Sequence, residues 1–203
     1  MAILALLPTT AQCDALDTPA LIRRLVKPAP ASIAFAEIRF SPLLQQPLVV
    51  TGDLGYNGPA VLDRHVTRPY REDTEIRGES VKVRREGEPV RSFALKRAPE
   101  LQGLLTAFTA LLAGNQADIE KRFTIAASGD EEIWRLVLTP VDVRVRKRVQ
   151  QIEIDGRGSA PRCLAIVNPN AGASVMLLGP AAQTELPQPL TREWITRYCG
   201  ARQ

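Results

Sequence analysis

From Ser32 to Leu178 the sequence returns again and again to short stretches of period-two alternation, each cut off by Gly, Pro, Asn or Asp. This pattern constrains the fold more than any other feature. Successive side chains of a strand point to opposite faces, and short links between strands leave antiparallel pairing as the simple solution. Two hairpins are explicit: Leu48–Tyr56 and Val61–Thr67 flank Asn57, Gly58 and Pro59, and Ser80–Arg85 and Val90–Leu95 flank Glu86–Pro89. Further strands are expected at Ser32–Phe40, Arg122–Ala127, Glu132–Thr139, Val143–Asp155, Arg162–Val167 and Ser174–Leu178. With 16 prolines and 13 glycines, turns are frequent enough to serve many short strands. A single antiparallel sheet of about ten strands does not stay flat; it curls.

Two helices interrupt the strands. Asp14–Val26 has Asp17 or Thr18 to cap it, Pro19 in its first turn, and a stripe of Leu21, Ile22, Leu25 and Val26. Pro99–Ala113 carries Leu101, Leu104, Leu105, Phe108, Leu111 and Leu112 at helical spacing, and a short helix is expected over Gln116–Arg122. Laid across a curled sheet, these faces either roof an apolar cavity or complete a filled core. The residues alone leave both open.

The ends read differently. Residues 1–12 resemble the tail of an export signal, with the apolar run Ala2–Leu7 and small residues up to Ala11, but no basic segment before them. Cys13 follows Thr-Ala-Gln, a poor match to a lipid-attachment site. Residues 13–180 form the expected main domain. Beyond it, Pro180, Pro187 and Pro189 predict an extended linker, and Thr191–Trp194 opens a short helix ending near Cys199 and Gly200.

Catalytic chemistry is scarce. The one histidine, His65, lies in a strand, and no nucleophile elbow, P-loop or dinucleotide fingerprint is present. The carboxylate pairs Glu72-Asp73 and Glu131-Glu132 project to opposite faces of an extended chain and so make no acid–base dyad. One histidine and distant cysteines offer no local metal motif. A net charge of +4 with 5 % aromatics is not the footprint of a nucleic-acid binder. No apolar run approaches the roughly 18 residues of a membrane span. Arg144, Arg146, Lys147 and Arg148 form a basic patch that is either a solvated strand face or a docking surface for an acidic partner or lipid head groups. Three cysteines allow one disulfide in an exported protein, either Cys163–Cys199 or Cys13 with one of these.

Motif order adds a resemblance. A helix, the strand Ser32–Phe40, a hairpin reading GDLGYNGP at 52–59, the Glu86–Pro89 hairpin and a helical insert follow one another. A strand ending Val137-Leu138-Thr139-Pro140 and the run Ile152-Glu153-Ile154-Asp155-Gly156 come after. Over roughly Asp14–Pro180 this order resembles the LolA family of periplasmic lipoprotein carriers.

The resemblance implies an α+β fold: an incomplete, half-open antiparallel β-barrel with an α-helical lid. It implies a non-enzymatic, cofactor-free monomer in the periplasm that binds acyl chains in an apolar cavity and carries them from inner to outer membrane. Its partners would be an acylated lipoprotein or other lipid, an inner-membrane donor complex and an outer-membrane acceptor, not nucleic acid. Phe35, Phe40, Leu54, Tyr56, Leu62, Leu104, Phe108, Trp134, Leu136 and Leu138 are the candidate lining residues, and Arg144, Arg146 and Arg148 the candidate docking residues. One position departs from the family. Its members hold the lid with an arginine directly before the hairpin proline, where this chain has Gly58. Cargo other than lipoprotein, such as a different lipid or a lipid-linked pigment for export, is therefore an alternative, as is a non-carrier interaction module.

Overall fold

A computed structural model describes residues 16–41, 43–168 and 172–200. The signal-like segment and Cys13 lie outside them. The N-terminal helix α1 is Thr18–Arg24, shorter than the stripe predicted; the Asp17 carboxylate accepts from the Ala20 N–H at 3.1 Å and Pro19 occupies the first turn.

The first six strands are β1 (Ala31–Arg39), β2 (Leu48–Tyr56), β3 (Val61–Arg68), β4 (Glu72–Arg77), β5 (Ser80–Arg85) and β6 (Arg91–Ala94). The helical insert comprises α2 (Pro99–Leu112) and α3 (Gln116–Glu120). Next come β7 (Phe123–Gly129), β8 (Ile133–Pro140), the short helix α4 (Val143–Arg146), β9 (Gln151–Arg157), β10 (Ala160–Asn168) and β11 (Gly172–Leu178). The C-terminal helix α5 is Arg192–Gly200.

All pairings are antiparallel, and the described residues form one 11-stranded sheet in the order β6-β5-β4-β3-β2-β1-β11-β10-β9-β8-β7. The sheet stays open, with β6 and β7 as its edges. Its two halves join where β1 pairs β11, with Phe35 opposite Leu178. Between the two hairpins the polar segment Glu72–Arg77 forms a strand, β4, that was not among those expected, because each of its neighbours offers it a complete ladder.

One expected strand is corrected. Residues 143–148 do not extend β9; they form α4 and the turn after it. The Asp142 carboxylate caps this turn by accepting from the Arg144 N–H at 2.7 Å, a local bond that competes with a ladder. Val145 and Val149, four residues apart, then face the core together, and Val149 is fully buried. The sequence Val-Arg-Val-Arg satisfies a strand period, but the valine pair at 145 and 149 satisfies the helical one.

The interior has two parts. On the concave face, α1 and α2 pack their apolar stripes against the sheet. Leu21, Ile22, Leu25, Leu105, Phe108, Leu111 and Leu112 share a single buried cluster with Phe35, Leu54, Leu62, Trp134 and Leu136. The Lys27 N–H donates to the Leu112 carbonyl at 3.0 Å, tying the chain after α1 to the end of α2. On the convex face, Ala36, Ile38, Cys163 and Leu177 pack with Ala181 and Ile195 beneath the C-terminal segment.

Candidate functional site

The concave face is apolar because every second residue of consecutive strands points into it. Phe35 of β1, Leu54 and Tyr56 of β2, and Leu62 of β3 are at most 5 % exposed. From the other half come Trp134, Leu136 and Leu138 of β8, and Phe108 of α2 belongs to the same buried cluster. These eight candidate lining residues therefore converge in one cluster. The side chain of Leu104 lies outside the described residues.

Phe40 does not join them. It follows Ile38 on the opposite side of the pleat, packs into the convex cluster, and has the Arg192 guanidinium 4.7 Å above its ring. Phe35 and Phe40 are five residues apart, so extended backbone puts them on opposite faces: Ile33, Phe35, Glu37 and Arg39 face inward and residue 40 does not.

Trp134 has a matching gap. Its indole occupies the space that a Cβ on Gly156, its register partner on β9, would need; that atom would sit 2.1 Å from the ring. The indole N–H donates to the Gly158 carbonyl at 2.8 Å.

The helices do not cover the whole face. At the end of the strands marked by Arg39, Glu72 and Ser174, a cavity of about 240 Å3 remains open. Val83, Leu164, Ile166 and Met176 form its apolar walls, while Glu37, Arg39, Arg64 and Glu72 line its polar side. Arg64 Nη2 donates to Glu37 Oε2 at 2.7 Å, and its guanidinium also lies 4.9 Å from the centre of the Phe35 ring. Arg39 grips the same carboxylate through Nε and Nη2 at 2.7 and 2.8 Å, and the Ser174 hydroxyl donates to it at 2.7 Å. Burial by itself would push the Glu37 carboxyl up. The hydrogen bond from Arg39, the charges of Arg39 and Arg64, and the Ser174 hydroxyl outweigh that and hold it below the ordinary carboxylate range.

Local motifs do not mark Glu37, Arg39, Arg64 or Ser174, and Glu72 is visible in the sequence only as half of a carboxylate pair. A signal existed. Glu37 keeps the phase of Ile33 and Phe35, and Arg64 that of Leu62 and Val66. A charge in register with a buried apolar series marks either an internal ion pair or a polar ligand contact.

The remaining chemistry is dispersed. His65 faces outward, with Nδ1 2.8 Å from Asp73 Oδ1 on an exposed surface. Glu72 turns in toward Arg64 and Asp73 out toward His65, so that adjacent pair is split between faces. Among the described residues no group of three or more His, Cys, Asp or Glu side chains is placed to hold a metal, and no helix is long and apolar enough to cross a membrane. Cys163 and Cys199 are joined by a disulfide that anchors α5 to β10. Arg144 pairs with Asp142, while Arg146 and Arg148 point into solvent.

At the hairpin tip Gly58 has φ +124°, a conformation glycine alone adopts readily. No side chain stands there to bridge to the helices. A groove of about 530 Å3 instead separates Pro59 and Ala60 from Leu105, Thr109 and Ala113 of the helical insert.

An open, curled antiparallel sheet with amphipathic helices laid over an apolar concave face defines the half-barrel class of binding proteins. Within that class, the chain belongs to the LolA-like outer membrane lipoprotein carrier protein family, whose model matches residues 10–200. No curated protein matches the sequence.

Among solved structures, a LolA superfamily protein from Nitrosomonas europaea is similar at a TM-score of 0.42 and 11 % identity, over 86 % of this chain and 97 % of that one. LprF from Mycobacterium bovis gives 0.33 and 10 %, over 85 % and 97 %. The MucA/MucB complex of Pseudomonas aeruginosa gives 0.39 and 8 %, over 85 % of this chain and 62 % of that one.

Proposed function

We propose that the protein is a periplasmic carrier without catalytic activity. It binds acyl chains of a lipoprotein or related lipid on the concave face and shuttles them from inner to outer membrane. The observation that carries this reading is the continuous apolar face of β1–β3 and β8, covered chiefly by α1 and α2 and opening at one end into the mouth cavity.

That cavity, at about 240 Å3, is below the roughly 300–1,000 Å3 typical of small-ligand sites, so a lipid enters only if the helices move aside. Magnitudes favour this exchange. Burying Leu21 and Ile22 of α1 and Leu25 at its C-terminal end contributes roughly 1.5–3 kcal/mol each. One long acyl chain contributes roughly 0.8 kcal/mol per methylene, about 10 kcal/mol in all. A chain can therefore replace the helix without leaving the sheet bare. The groove beside Gly58 supports the same reading, because among the described residues no side-chain bond ties the roof to the hairpin tip. Without that latch, cargo need not be lipoprotein; another lipid or a lipid-linked pigment fits the same wall.

The test uses the protein purified from a bacterial periplasm. Organic extraction and mass spectrometry should recover an acylated molecule. Fatty acids or lipopeptides should displace a hydrophobic dye. In a Trp194→Phe variant the remaining indole is Trp134 on the inner wall, and its emission should shift on loading. Absence of extracted lipid together with absence of displacement and of an emission shift overturns the reading.

A further inference from the structure

The exposed large apolar side chains are not scattered. Leu43 is 92 % exposed and Leu44 45 % in the β1–β2 connection, Val90 55 % in the β5–β6 turn, and Val141 and Val143 53 % and 59 % between β8 and β9. Among the described residues Val26 is the one other exposed large apolar side chain.

The three connections share one end of the sheet. Arg39 pairs with Leu48 on one side and Ser174 on the other, Ser174 with Ile166, Ile166 with Ile152, and Ile152 with Leu138 at the end of β8. In the other direction Thr51 pairs with Arg68, and beyond it Val66 with Glu72 and Glu72 with Arg85. This is the end at which the mouth cavity opens.

Cations surround these tips. Because Val145 and Val149 turn inward, Arg144, Arg146, Lys147 and Arg148 all face solvent. Asp142 engages Arg144, and Glu88 engages Arg85 and Arg91. Arg146, Lys147 and Arg148 have no ion-pair partner among the described residues, and exposed Arg68 and Arg71 lie at the β3–β4 turn. Glu86 is a further acidic side chain there.

We propose that this end of the sheet docks directly on an anionic bilayer surface. The aliphatic tips of Leu43, Leu44, Val90, Val141 and Val143 enter the interface while Arg146, Lys147 and Arg148 meet lipid phosphates. The chemistry favours a bilayer over a protein. A protein interface concentrates aromatic anchors in a packed centre and is depleted of lysine. Here the exposed apolar groups are all aliphatic, sit on separate turns and alternate with cations, the pattern of a shallow interfacial contact. Passage of cargo through the mouth so apposed rests on the carrier reading; the docking itself does not.

The test is co-sedimentation of the full chain with vesicles of phosphatidylcholine alone or mixed with phosphatidylglycerol. Binding should require phosphatidylglycerol and weaken as salt rises. Each basic side chain near an anionic surface is worth about 1 kcal/mol, or about fivefold in affinity, so the triple variant R146Q/K147Q/R148Q should bind roughly a hundredfold more weakly. Leu43→Ser with Leu44→Ser should also lower binding, and these exposed positions leave the fold intact. No binding to anionic vesicles, equal binding to neutral ones, or binding unchanged in both variants overturns the proposal. Loss of a cross-linked membrane protein in the variants, with vesicle binding unchanged, assigns this end to a protein instead. Dye uptake measured without vesicles reads the concave face separately, so failure of docking and failure of the carrier reading are distinguishable.

Discussion

Arg64 reaches across β2 to place Nη2 2.7 Å from Glu37 Oε2, two strands away, with both side chains at most 10 % exposed. It does so beside the irregularity between Thr51 and Gly52, where β2 presents a residue without a side chain. This pair, with Arg39 and Ser174, puts a charged cluster at the edge of an otherwise apolar wall.

Glu37→Gln leaves buried Arg64 with Glu72, 3.5 Å away, as its remaining counter-charge. Removing one partner of a buried pair costs about 3–5 kcal/mol, and the retained amide oxygen brings the expected loss to about 3 kcal/mol at neutral pH. The folded-state carboxyl titrates below its ordinary value of 4.5, so its contribution is full above that value and fades as pH falls through the lowered one. The stability gap between wild type and variant should therefore narrow on acidification below 4.5. Urea titrations across a pH series measure this; a gap independent of pH would count against the ion pair.

Removing both partners should behave differently. Glu37→Leu with Arg64→Met replaces the cluster's central pair by apolar groups, which is often neutral or stabilising. Denaturant unfolding should show the double variant within about 1 kcal/mol of wild type, well above the additive sum of the single changes. Dye binding should be retained or stronger, because the wall is then apolar up to its mouth.

Phe108→Ala should lower stability and raise uptake. Truncating a buried phenylalanine costs about 3–5 kcal/mol, and here the loss falls on the roof that competes with cargo for the same wall. Thermal unfolding read beside fatty-acid displacement of dye separates the two effects. Reduced uptake at preserved helicity would place Phe108 in cargo contact instead of in the competing roof.

Gly156→Ala probes the opposite wall. The new methyl would meet the Trp134 ring at 2.1 Å, and displacing a fully buried indole should cost about 1–3 kcal/mol. Near-ultraviolet circular dichroism and denaturant midpoint should both shift.

Breaking the Cys163–Cys199 bond, which spans 36 residues, should cost about 3–4 kcal/mol through the freedom restored to the unfolded chain. It anchors α5 to the convex face, so dye uptake by the concave face should remain unchanged in Cys163→Ser/Cys199→Ser. Joint loss of both would tie the two faces together.

The alternating stretches were legible because one strand face is buried: β2 and β5 begin and end where period two and turn residues place them. The leucine stripe of α2 was legible for the equivalent reason at helical period. Phe35, Leu54, Leu62, Trp134 and Leu136, expected together from the family resemblance, share one buried cluster. Three things needed tertiary structure. Which face of β1 is the inner one, and hence that Phe35 lies within the wall and Phe40 outside it, was set by the packing of the helices on the sheet. Residues 143–146 became a helical turn because Asp142 caps it and Val149 finds the core. The partnership of Glu37, Arg64 and Ser174 joins residues up to 137 apart in the chain. Local pattern records which side of the chain is apolar; which distant strand comes to lie beside it is decided by the pairing order and curl of the open sheet.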